Sequence, residues 1–505
     1  MTRIQLPRGY KNAELLQYKL HGMDEKQLIR NGQRRALALF HAMSNRVPAY
    51  KDFLKKNKFS PSSVKTIKDF KKIPPINKDN YLRLYPKEML CWDGEFSHGR
   101  WVISTTSGST GQPYYFPREH AQDMQYAVSA ELYLRNNFQI HKKSTLYIVA
   151  FPMGAWIGGL FTYEALKLVA NNGDYDLSII TPGIHKQEVI NAVKQLGDSF
   201  DQVIIGAYAP FLKDILDDGI RQGIDWTKLN VGFVFSAEAF TEKFRDYVFK
   251  ITQPDNPILS TLNNYGTVDL GTMAYETPES VLTRRVLAHE NKLDALFPEN
   301  RRQATFAQYD PSLFYFEEEA HNLLCTAYSG LPLVRYDLKD YGGVIRRVQA
   351  HKTLLKSGIE IDKLMEENKI QDLTWNLPFV YVYERNDFSV SYYAFLIYPD
   401  MVRRALQSDE LQPYLTGKFT MMVDYNAEGR QELLIHTEMT HDTQDSPALN
   451  SKTQNIIHGF LVEESSEYRE THNTIGTIVK PIIKLWKYEN PEHFRPGTKQ
   501  KWVVR

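Results

Sequence analysis

The chain has 505 residues, with 61 Lys or Arg against 60 Asp or Glu and 42% hydrophobic residues. Two domains are expected at this length, and a formal charge of +1 gives no sign of a general electrostatic hold on nucleic acid or anionic lipid. Two cysteines, Cys91 and Cys325, exclude a disulfide framework, and the N-terminal residues lack a signal-peptide core; no run approaches the roughly 18 apolar residues of a membrane span, so a cytoplasmic protein is expected.

From about Asn12 to Leu54 the pattern is helical. Ile29, Ala36, Leu37, Leu39, Phe40 and Met43 recur at three- and four-residue steps, and Pro48 is expected to end the run. This predicts a helical cap on a larger domain. Pro74 and Pro75, with Lys78 following, mark a loop into the main body. Between Arg100 and Tyr265, β-rich apolar runs at 101–104, 146–151, 177–181, 202–207 and 231–236 alternate with amphipathic segments at 185–196 and 210–221. That alternation predicts an α/β fold with a mostly parallel sheet and ligands at the carboxyl ends of its strands. After about Tyr383 the character changes. Residues 389–398 and 418–425 read as strands, 426–429 as a turn into 432–437, 452–469 as a polar helix and 478–486 as a strand. The expected division is a large α/β domain at 1–383 and a small α+β domain at 384–505.

The sharpest local signal is Ser104-Thr105-Thr106-Ser107-Gly108-Ser109-Thr110-Gly111-Gln112-Pro113, directly after the run at 101–103. Two glycines let the backbone bring its N–H groups close to an anion, and the hydroxyls from Thr105 to Thr110 add donors for phosphate oxygens. No Gly-Lys-Ser/Thr closes the segment, so it is not a Walker A loop. Ser107 to Pro113 resembles the signature loop of the acyl-adenylate-forming superfamily, and the chain resembles its phenylacetate–CoA ligase and CapK-like branch. The resemblance implies that Ser107, Gly108, Ser109, Thr110 and Gly111 hold the phosphates of ATP. Gln112 stands where the family often has lysine.

Further segments follow in the family's order. Ser236-Ala237-Glu238 is similar to the segment beside adenine. Tyr265-Gly266-Thr267-Val268-Asp269 resembles the Tyr-Gly-x-Thr/Ser-Glu motif, which implies that Tyr265 packs on adenine with Gly266 beside the nucleotide and that Asp269 holds Mg²⁺, while the motif's phosphate-contacting hydroxyl falls at Val268 and Thr267 is the neighbour expected to supply it. Val268 departs from that motif because it has no hydroxyl, and Asp269 is one methylene shorter than Glu. Arg335-Tyr336-Asp337-Leu338-Lys339-Asp340 resembles the segment whose last Asp grips the ribose, which implies Asp340, with Asp337 as its rival. Glu384-Arg385-Asn386-Asp387 is similar to the hinge before a mobile C-terminal domain; Arg385 is expected at ribose or phosphate, although Glu384 replaces a glycine. Arg495-Pro496-Gly497-Thr498-Lys499-Gln500-Lys501 resembles the tail with the adenylation lysine, implying Lys499, with Lys501 as the runner-up.

Trp156, Gly158 and Gly159 sit where the family shapes its acyl pocket. Tyr114, Tyr115 and Phe116 read as core more than as substrate wall, and the histidines at 436, 441, 458 and 472 lack ligand spacing. The implied activity is an AMP-forming ligase that activates a small-molecule carboxylic acid with ATP and Mg²⁺ and passes the acyl group on. Coenzyme A is the expected acceptor, and an amine or a carrier protein the alternatives. A nucleotide-binding scaffold without catalysis is the reading from another class.

Overall fold

The computed structural model describes residues 10, 12–106, 113–236, 240, 242–297, 304–385, 389–393, 395–406, 408–411, 413–494 and 503. Its strands, in chain order, are β1 (Val102–Thr105), β2 (Tyr115–Arg118), β3 (Thr145–Val149), β4 (Leu177–Ile180), β5 (Gln202–Gly206), β6 (Val231–Ser236), β7 (Thr261–Thr267), β8 (Gly271–Tyr275) and β9 (Thr305–Gln308). There follow β10 (Phe314–Glu319), β11 (Asn322–Ala327), β12 (Leu333–Ile345), β13 (Phe379–Arg385), β14 (Val390–Tyr392), β15 (Phe395–Ile397), β16 (Leu415–Tyr425), β17 (Gln431–Met439) and β18 (Ile482–Trp486).

The N-terminal periodicity resolves into helices Ala13–Gly22, Glu25–Arg46 and Pro48–Lys56. Asp24 caps the second by accepting from Gln27 N at 2.8 Å. Pro48 ends that helix and opens the next, because a missing N–H costs nothing in a first turn. The expected stop is also a start.

Eleven strands form one sheet in the order β10-β11-β12-β13-β9-β8-β7-β6-β5-β3-β4. From β4 to β7 every neighbouring pair is parallel, and β3 and β5 are buried along their whole length, as strands covered on both faces must be. From β7 to β10 every pair is antiparallel. The sheet is therefore mixed. The expectation of a mostly parallel sheet holds for β3 to β7 and fails beyond them: tight loops join β7 to β8, β10 to β11 and β11 to β12, and a tight connection can only join antiparallel neighbours, while β8–β9 and β12–β13 are antiparallel across longer helical connections. β1 and β2 form a separate hairpin, Thr105 opposite Tyr115.

A second sheet pairs β16 with β17 antiparallel and β17 with β18 parallel. Helices Pro447–Glu464 and Ser466–Ile475 replace the single helix expected at 452–469, with Ser465 capping the second. The segment expected as one strand at 389–398 is the hairpin β14–β15, and β18 starts at Ile482 because Gly476–Val479 forms a 3₁₀ turn. One apolar cluster runs from the Ala209–Arg221 helix into β14, β15 and the second sheet through Phe211, Leu212, Tyr392 and Phe395.

Candidate functional site

A cavity of about 810 Å³ opens where the parallel strands end. Its wall takes Phe151 and Pro152 after β3, Ile184 after β4, Tyr208 after β5, Ser236 at the end of β6 and Tyr265 to Asp269 from β7. This is the position that a parallel sheet offers a ligand. Thr105 and Thr106 at the base of the β1–β2 loop join it, Thr105 N donating to Ala155 O at 3.0 Å. Tyr425 and Gln431 from the second sheet and Glu467 from the Ser466–Ile475 helix close it.

The two tyrosine–aspartate segments meet here. Tyr265 OH donates to Asp340 Oδ2 at 2.5 Å, and Tyr336 OH donates to Asp269 Oδ2. Each segment carries its Asp four residues after its Tyr, and each Tyr holds the other segment's Asp. Asp269 is 5% exposed and Asp340 6%, so both carboxylates lie at the cavity wall with their charge already engaged. Lys78 Nζ stands 3.1 Å from Asp269 Oδ1. Asp337, the rival ribose ligand, pairs instead with Lys339 Nζ at 2.9 Å and accepts from Lys339 N at 3.0 Å.

Strand register assembles the other segments. Ser236 is the parallel neighbour of Asn264, next to Tyr265, and Asp340 is paired with Arg385 across β12 and β13. Thr267 lies opposite Gly271, whose φ of +79° suits glycine and whose added Cβ would come 2.8 Å from the Phe161 ring. Phe161 stacks on Tyr126 with 4.5 Å between centroids, and both line the cavity with Trp156 and Gly158. Gly159 packs beneath Met153 instead, and Phe116 joins the core while Tyr115 is exposed. Ser107, Gly108, Ser109, Thr110, Gly111, Ala237, Glu238 and Lys499 lie outside the described residues, as does the side chain of Arg385.

In the sequence Lys78 stands out only as part of a loop and Tyr336 only as part of a motif. The one sequence signal for Lys78 is its place just after the Pro74-Pro75 loop. Among the described residues no three His, Cys, Asp or Glu side chains come together as a metal site. The carboxylates at this wall, Asp269 and Asp340, are hard oxygen donors of the kind Mg²⁺ takes one or two of.

No protein-family model matches the sequence, and no curated protein matches it. Solved structures do. A 2-hydroxyisobutyryl-CoA ligase in its thioesterification state, with 2-HIB-AMP and CoA, superposes with a TM-score of 0.62 at 13% identity, over 96% of this chain and 91% of that one. This chain has the fold of that ligase. The same ligase in its postadenylation state with R3-HIB-AMP gives 0.53 over the same shares at 13% identity, and an open form with 2-HIB-AMP and CoA gives 0.50. At that identity the fold is what is shared. No helix among the described residues is long and apolar enough to cross a membrane.

Proposed function

We propose that this chain is an AMP-forming acyl ligase of the phenylacetate–CoA ligase and CapK-like kind. One observation carries the reading. The two Tyr…Asp segments, 71 positions apart by their tyrosines at 265 and 336, interlock on one wall of a cavity at the parallel-strand ends, in a fold shared with a CoA ligase along 96% of the chain.

In this reading ATP lies with its ribose at Asp340 and its phosphates toward Thr105, Thr106 and the loop 107–111, beside Lys78. The acid's body lies against Phe161, Tyr126 and Trp156. Its carboxylate oxygen attacks the α-phosphorus in line, the bond to the bridging oxygen breaks, and pyrophosphate leaves an acyl-adenylate. Thr267 donates to a phosphate oxygen, and Lys499 offsets the charge that builds in the transition state. Magnesium, held by Asp269 when bound with ATP, supplies further charge neutralisation. Residues 384–505 then turn as a unit about the hinge at 387 and admit the acceptor, whose nucleophile takes the acyl group and releases AMP. Coenzyme A is the acceptor we favour; an amine or a carrier-protein thiol fits the same chemistry. The buried free thiols Cys91 and Cys325 suit a cytoplasmic setting.

ATP–pyrophosphate exchange against a panel of carboxylic acids tests the first half, and acyl transfer to coenzyme A or to amines tests the second. A nucleotide-binding scaffold, favoured by Gln112, Val268 and Glu384, shows no exchange with any acid.

A further inference from the structure

Tyr336 is 1% exposed, deeper than the Asp269 carboxylate it holds. Its hydroxyl takes Oδ2 while Lys78 Nζ takes Oδ1, so Asp269 is gripped at both oxygens. The two grips come from one piece of structure. Ile76 bridges to Tyr336 in parallel register, Ile76 N donates to Arg335 O at 3.2 Å, and Asp337 N donates to Ile76 O at 2.8 Å. The segment leading to Lys78 is thus sewn to the strand that carries Tyr336. That strand is held in an unusual conformation: Arg335 and Lys339, on either side, have φ of 47° and 63°. Non-glycine residues stay there only where their surroundings enforce it. Arg335 is enforced by Ile73 O, Glu317 and Glu319, which all accept from or pair with its guanidinium.

We propose that Tyr336 is a positioning residue for nucleotide binding, its hydroxyl fixing Asp269 so that Asp269 holds the Lys78 ammonium at the cavity wall as a preset partner for the nucleotide's phosphates. Lysine is a point charge on a flexible stem, and a fixed carboxylate is what localises it. In this arrangement Tyr336 acts through Asp269 and Lys78. The proposal rests on the ligase reading above for the nucleotide's place.

The test uses the full-length protein and Tyr336→Phe, which removes one oxygen and keeps the ring in its packing. ATP binding is measured by calorimetry with a metal chelator present, so that magnesium cannot stand in for the lysine. We expect the dissociation constant of metal-free ATP to rise about 10-fold or more, from the lower end of what losing one charge-assisted hydrogen bond costs. In exchange assays, where magnesium accompanies ATP, KM for ATP should rise by less than that factor, with kcat and KM for the acid within about two-fold. In a Lys78→Ala background Tyr336→Phe should add less than about two-fold, since coupled residues do not add. Unchanged metal-free affinity, or fully multiplicative effects with Lys78→Ala, overturns the proposal. Should Tyr336→Phe not fold, Asp269→Asn takes its place: it must weaken metal-free ATP binding, and wild-type affinity there sinks the idea. Absence of exchange by the wild-type protein with every acid defeats the ligase reading instead, and the metal-free binding arm still judges Tyr336.

Discussion

Arg430, in the turn between β16 and β17, lies 3.8 Å from Asp214 on the Ala209–Arg221 helix, joining the second sheet to an element whose N-cap, Tyr208, lines the cavity. Beside it Gly429 has φ of +76°, and a Cβ there would meet Lys213 Cε at 3.3 Å. Lys213 is itself held by Asp217 at 2.6 Å. The contact is tight and charged, with the buried Asp214 at its centre.

Burial pushes the Asp214 carboxyl up to about 6, against the pull of Lys186, Arg430 and Lys213 and with a further push from Asp218. The native state thus binds this proton more tightly than the unfolded chain, where Asp titrates near 4. The contribution to stability is fully present below about 4 and is lost as pH rises through about 6. Asp214→Asn should remove that dependence and leave the protein about 1–3 kcal/mol more stable at pH 7.5 relative to wild type than at pH 4. Denaturant titrations of both proteins across this range decide it; parallel pH profiles would show that Asp214 is ionised in place at no cost.

The parallel half of the sheet was legible because each buried strand reads as an apolar run between amphipathic helices, and the run at 231–236 coincides with β6. The antiparallel half was not, because β8 to β13 mix polar and apolar residues around bulges at Asp340/Gly342 and Cys325/Ala327 that break the two-residue period. Tyr265, Asp269 and Asp340 could be named from their motifs. That Tyr336 holds Asp269 could not, since a hydrogen bond across 67 positions depends on the order of strands, and sequence alone does not give it.

Asp340→Ala should weaken ATP binding by roughly 1.5–3 kcal/mol, as a buried charged acceptor is lost and the Tyr265 hydroxyl loses the carboxylate it now donates to. Asp337→Ala should stay within a few fold, because its carboxylate is spent on Lys339. Calorimetry on the two folded variants separates them, and equal losses would move the ribose site to the whole loop.

Glu276 accepts from Arg245 at 2.9 Å and from Asn263 N at 2.8 Å, and lies 3.3 Å from Arg284, all of them buried. Arg284 also pairs with Glu242 at 2.9 Å and donates to Phe240 O. Removing this guanidinium leaves two buried carboxylates short of a partner. Arg284→Met should therefore cost about 3–5 kcal/mol in chemical denaturation. A loss below about 1 kcal/mol would mean that water replaces the arginine.

The proposed adenylation role of Lys499 is open to a direct test. Phe494 is buried, its N–H donating to Asn490 O at 2.8 Å, and Val503 forms a bridge with Met421 on β16. Lys499 lies between these two positions, outside the described residues, and in the proposed mechanism the turning second domain delivers it. A lysine delivered that way acts on charge that develops as the acid attacks, not on ATP at rest. Lys499→Ala should therefore cut acyl-adenylate formation by about 10²–10³-fold with ATP affinity within a few fold. Transfer from a supplied acyl-adenylate to the acceptor should be nearly unchanged, because the second half-reaction does not use the ammonium. Lys501→Ala should show neither defect. Loss of adenylation in Lys501→Ala alone would shift the assignment by two residues. Normal adenylation by both variants would leave the tail a solvated basic segment and remove the reason for a turning second domain.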